Sequence, residues 1–112
     1  MKSEIIHHLS EGPLTFAALS NKLGNPPGDR AITAPDDHNI ILWSSMSTAY
    51  AEAVVALRAA GLIQFDIWWP LQLGVVAYVN DGRILRLPLV TNPPDAGHRK
   101  PHWLPVAIGG AQ

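Results

Sequence analysis

The sequence predicts an α+β domain of three helices, a short strand and a C-terminal β-hairpin, followed by an extended tail. Three observations carry this. Apolar residues recur at helical spacing up to Gly61, the period then falls to two, and Gly, Pro and Asn clusters punctuate the changes. The chain has 112 residues, of which 47% are hydrophobic and 15% charged, so a packed core is expected and wholesale disorder is excluded. A domain over residues 1–90 and an extended or flexible tail over 91–112 follow from the pattern.

The first helix is expected from Ser3 to Glu11, with Ile5, Ile6 and Leu9 at helical spacing and Ser3 as N-cap. Gly12-Pro13 ends it. The second helix carries its own start and stop. Thr15 is the N-cap, Leu14 and Leu19 occupy the two positions of a hydrophobic staple, and Gly24 closes the helix. Asn25-Pro26-Pro27-Gly28-Asp29 cannot be regular structure, and Ala34-Pro35-Asp36-Asp37 repeats that turn chemistry. Asn39 to Trp43 then reads as a short buried strand, with Trp43 in the core.

The third helix is the longest, with Ser47 the preferred N-cap and Ser44 the alternative. Tyr50, Ala53, Val54 and Leu57 form its inward stripe, while Thr48, Glu52, Val55 and Arg58 look outward. Gly61 is the expected left-handed stop, and Leu57 and Leu62 fall on the contact pair that accompanies it. Strands are then expected over 62–69, 74–79 and 83–87. Asn80-Asp81-Gly82 is read as the turn of a hairpin. Asn92-Pro93-Pro94-Asp95-Ala96-Gly97 and Gly109-Gly110 mark the tail.

This order of elements resembles the winged helix-turn-helix family, whose members include bacterial and phage-type DNA-binding regulators. The residues that carry the resemblance are Gly12 to Leu19 with Lys22-Leu23-Gly24, and Ala53 to Ile63 at the end of the third helix. The likeness spans roughly residues 3 to 90. It implies a small transcription regulator or accessory factor that binds double-stranded DNA through its third helix and wing. Carried over by position, Ser45, Ser47, Thr48 and Glu52 would approach base edges or phosphates. Arg58, Arg83 and Arg86 would be the phosphate-contacting cations, with Arg99 and Lys100 reaching from the tail.

The same residues admit a second class, a winged-helix protein-interaction module that never touches nucleic acid. Residues 29–66 hold Arg30 and Arg58 against Asp29, Asp36, Asp37, Glu52 and Asp66. The run from Ile67 to Leu73 is apolar and aromatic, which suits a protein more than a phosphate backbone. Trp68 and Trp69 point to opposite faces of a regular strand, so one of them leaves the core. Trp68, Trp69, Leu71, Leu73 and Trp103 are therefore the expected partner interface, whether for a homodimer or another protein.

Neither catalysis nor a cofactor is expected. The chain has no Cys, which excludes thiolate sites and disulfides and fits a cytoplasmic protein. His7, His8, His38, His98 and His102 read as surface histidines, since Pro101 interrupts any helix through His98 and His102. Ser44, Ser45 and Ser47 lack a nucleophile-elbow pattern and read as capping residues. No phosphate-loop or dinucleotide motif occurs. With no apolar run near the roughly 18 residues of a membrane span, no membrane partner is expected.

Overall fold

A computed structural model describes residues 1–34, 37–68, 70–90 and 100–110. The described chain runs α1 (Lys2–Leu9), β1 (Leu14–Thr15), α2 (Phe16–Lys22), β2 (Arg30–Ala34), β3 (Asp37–Met46) and α3 (Thr48–Ala59). It continues through β4 (Ile63–Ile67), α4 (Gln72–Asn80), β5 (His102–Trp103) and β6 (Val106–Gly110). The α+β class holds, with four helices and two three-stranded sheets among the described residues. No helix there is long and apolar enough to cross a membrane.

The helix signals worked where caps were written into the sequence. Thr15 Oγ1 accepts the Ala18 N–H at 3.0 Å, and Ser47 Oγ accepts the Tyr50 N–H at 3.1 Å. Gly24 (φ 81°) and Gly61 (φ 74°) supply the left-handed stops. At each, a paired set of backbone bonds closes the helix, Asn25 to Ser20 with Gly24 to Asn21, and Leu62 to Leu57 with Gly61 to Arg58. The inward stripe of α3, Tyr50, Ala53, Val54 and Leu57, is buried. The first helix shifts: α1 begins at Lys2, so Ser3 lies inside its first turn and is not the N-cap. Helix α3 begins at Thr48 after Ser47, and the alternative cap Ser44 lies in β3.

Several expectations are corrected. Arg30 to Ala34, expected within a loop, pairs antiparallel with β3, and the short strand at Asn39–Trp43 lengthens to ten residues. Ser45 sits at φ 55° where β3 carries an extra residue against β2, and this bulge turns the strand into α3. Pro35 and Asp36 of the expected turn lie outside the described residues.

Residues 74–79 form α4 rather than a strand, and residues 83–87 are not a strand either, so the predicted hairpin wing is absent. Asn80-Asp81-Gly82 is a helix stop. Gly82 (φ 89°) provides the left-handed residue, with Arg83 N–H bonded to Tyr78 C=O and Gly82 N–H to Val79 C=O. A hairpin turn and a helix stop both require positive φ, so the Asp-Gly signal fits either. The apolar run before it decides nothing: Leu71, Gly74 and Tyr78 are buried at helical spacing, while Val75 and Ala77 are half-buried.

Residues 106–110, expected in an extended tail, are the central strand of the first sheet, whose order is β1-β6-β4. Both pairings are antiparallel, with Leu14 opposite Ile108 and Phe65 opposite the same Ile108 on the other side. The second sheet has the order β2-β3-β5, β5 lying parallel to β3 with Trp103 opposite Ile41. Leu104 and Pro105 alone separate β5 from β6, so one short stretch stitches the two sheets together.

A row of rings passes between the elements. Phe65 of β4 lies 5.7 Å from Phe16 of α2, which stacks on Trp43 of β3 at 6.3 Å. Trp43 is 5.3 Å from Tyr78 of α4, which meets Trp103 of β5 edge-on at 5.0 Å. Trp43 and Trp103 are both core residues.

Candidate functional site

Two surface features stand out, the outer face of α4 and a cleft beside α3. The inner face of α4 is locked in place. A methyl at Gly74 would stand 2.8 Å from Trp68 Cε3 and 3.1 Å from Pro105 Cγ, so only glycine permits this approach. Tyr78 Oη donates to the Val106 C=O at 2.6 Å and accepts the Phe16 N–H at 3.1 Å, tying α4 to β6 and to the first turn of α2. Asp81 holds the end of α4: its carboxylate accepts from Thr15 Oγ1 at 2.7 Å and its carbonyl from Asn21 Nδ2 at 3.3 Å.

The outer face of α4 has no such cover among the described residues. Leu73, Val76 and Val79 are 52%, 56% and 57% exposed and follow one another at three-residue steps. Residues 67–80 contain no Asp, Glu, Lys, Arg or His. A helix whose middle turns are apolar normally lies inside a protein, yet among the described residues this one is covered on one side only.

The expected partner interface is thus redistributed. Leu73 is exposed as anticipated, whereas Leu71 is buried at 5% and Trp103 at 2%. Trp68 is half-buried against Gly74, and Trp69 lies outside the described residues. Val76 and Val79 were missed. Reading 71–79 at period 3.6 instead of two would have put Leu73, Val76 and Val79 on one outward face.

The expected DNA-contacting residues separate into several places. Thr48, Glu52 and Arg58 are exposed on α3, and Ser45 is exposed in the bulge before it. Ser47 is half-buried and engaged as a cap. The Arg58 guanidinium lies 4.9 Å over the Phe65 ring, and that of Arg83 lies 5.4 Å over the Trp43 ring. These two cations therefore cap different members of the aromatic row. Arg83 also donates to Asn25 Oδ1 at 3.4 Å, and Arg86 is exposed in the coil after α4. Lys100 is exposed, and Arg99 lies outside the described residues. The loop over 25–29 crosses the start of α3, since a methyl at Gly28 would overlap the Met46 carbonyl and Ser47 Cα.

Burial pushes the Tyr50 phenol up to about 12, against the lowering effects of the Ser20 hydroxyl, which donates to it at 3.1 Å, and of the Arg83 charge. Burial raises the Tyr78 phenol as well. Both are fully bonded core groups that pin helices. No group of three or more His, Asp or Glu side chains is gathered among the described residues, and His98 lies outside them.

The cleft beside α3 holds about 570 Å³ between α3, β2 and β4, with Ile32, Val54, Val55 and Phe65 among its walls and Arg58 at its side. Comparison with protein-family models, with curated proteins and with solved structures found no match.

Proposed function

We propose that this chain is a non-enzymatic protein-interaction domain on a winged-helix scaffold, with the outer face of α4 as its docking face. The observation that carries the reading is a nine-residue helix without a charged side chain, with Leu73, Val76 and Val79 left bare among the described residues. Support for the scaffold comes from the helices α1, α2 and α3 and from β4, which follows α3 and pairs with β6 as the two strands of a wing would. On this reading α4 and the segments around it expand the wing, and the β2–β3 pair is an insertion ahead of the third helix.

A second copy is the simplest partner for the face. Two-fold pairing places one stripe on the other, and residues 67–80 bring no charged side chain to it. Sedimentation velocity from micromolar to near-millimolar protein tests this. Wild type is expected to associate with rising concentration, and Val76→Arg to remain monomeric with an unchanged circular-dichroism spectrum. A wild type that stays monomeric throughout, with no binding of an apolar fluorescent dye, refutes the docking face.

Duplex-DNA binding is the second reading, favoured by the exposed Thr48, Glu52 and Arg58 on the outer face of α3. Few phosphates could be neutralised, so the log–log dependence of affinity on salt should have a slope of about −2 to −4 per subunit. Fluorescence anisotropy of a labelled random-sequence duplex decides it. Binding that weakens with added salt supports this reading, and no binding at tens of micromolar protein in low salt removes it.

A further inference from the structure

We propose that the cleft beside α3 receives an extended peptide strand, apolar in alternation and carrying an acidic side chain, which adds to the free edge of β4. The inference rests on the interaction-domain reading in general, but not on the α4 face.

Strand β4 is the last strand of its sheet, bonded to β6 on one side only among the described residues. Ile63, Gln64 and Phe65 of β4 all line the cleft. Consecutive residues of a strand point to opposite faces, so three in a row can border one cleft only if it runs along the strand's edge. Across the cleft stand Ile32 and Thr33 of β2, itself the end strand of the other sheet. The cleft therefore separates the free edges of two sheets, and α3 closes it from the side with Val54 and Val55.

The two edges differ in what they can accept. Strand β2 pairs with β3 through repeated register shifts, an irregularity that suits an edge to solvent. Strand β4 keeps residue-by-residue register with β6 from Ile63 to Ile67 and contains no Pro, Lys or bulge. Its unpaired N–H and C=O groups are the template on which an incoming strand gains main-chain hydrogen bonds. Arg58 sets the side-chain preference. Among the described residues it is the only charged one on the walls and no carboxylate pairs with it, and the Phe65 ring beneath it orients the guanidinium. A carboxylate on an otherwise apolar strand complements that wall.

Phage-displayed random heptapeptides selected against the whole 112-residue chain supply the probes. The enriched peptides are then synthesised and titrated into isotope-labelled protein, with amide exchange read by NMR. The enriched sequences should alternate β-branched residues and hold an Asp or Glu, and binding should slow exchange of β4 amides by about tenfold or more. N-methylation of the peptide amides that face β4 should abolish binding. Arg58→Gln should weaken it by about tenfold, and replacing the peptide's acid by its amide should do the same. The proposal is overturned if no sequence is enriched, if binding survives N-methylation in both registers, or if Arg58→Gln binds as tightly as wild type. Protection that maps to α4 also overturns it while leaving the α4 reading intact, and β4 amides already protected by self-association of the free protein assign the edge to a second copy instead.

Discussion

Helices α3 and α4 expose apolar side chains to the same degree and for different reasons. Val55 on α3 and Val76 on α4 are both 56% exposed. Val55 stands between Glu52 and Arg58, one turn away on either side, and borders the cleft beside α3. Val76 stands between Leu73 and Val79, with no charge on its helix. Exposure of a single residue therefore distinguishes nothing. The neighbours at three-residue steps decide what a bare valine joins, an apolar stripe on α4 and a wall beside charged side chains on α3.

The same contrast extends to how each helix is held. Helix α3 begins on a side-chain cap, whereas no side chain caps α4 at Leu71. Stability of α4 must come from its tertiary contacts, at Gly74, Tyr78 and Asp81. The largest expected effect is accordingly at Gly74. Gly74→Val drives carbon into Trp68 and Pro105 and should cost about 3 kcal/mol, read as a fall in melting temperature of about 10 °C or more. Tyr78→Phe leaves the Phe16 N–H and Val106 C=O without their partner, a loss of about 2 kcal/mol by denaturant titration. Ser47→Ala removes the cap of α3 and should cost about 1 kcal/mol. Smallest in stability is Val76→Arg, within about 0.5 kcal/mol, yet it should abolish self-association while Val55→Arg leaves it intact.

Alkaline pH offers another way to separate the helices. The folded Tyr50 phenol ionises near 12 and an unfolded one near 10, so the unfolded chain loses its proton first as pH rises. The stability contributed by the neutral phenol is complete below pH 10 and is lost progressively toward pH 12. Melting temperatures recorded across that window should fall for wild type. Tyr50→Phe should flatten the fall in part, and Tyr78, raised by burial too, should account for more of it.

What the sequence disclosed follows from local chemistry. Thr15, Ser47, Gly24 and Gly61 act on atoms three to five residues away, and their roles were readable without the rest of the fold. The run from Leu71 to Val79 was not, because an uncharged apolar stretch offers neither period a polar face to contrast with. Strand β2 was hidden by its surroundings in Pro, Gly and Asp, and β6 by its glycines, since Gly109 and Gly110 read as tail. Only pairing with β4, at Gln64 and Ile63, reveals these two glycines as strand. Site residues fared likewise. Arg58 was legible as an outward cation, but its seat on Phe65 depends on a strand that returns after the helix has ended.

The central position of β6 sets the timing of folding. Residues 14–15 and 63–67 have no shared strand to pair with until residues 106–110 have been synthesised, so the first sheet closes across about the whole described length of the chain. A nascent chain leaving the ribosome can wind its early helices while both outer strands wait. During that interval the edge of β4 and the rings of Phe16 and Phe65 lack the cover that β6 completes, and this is the stage at which a chaperone would find the most to hold.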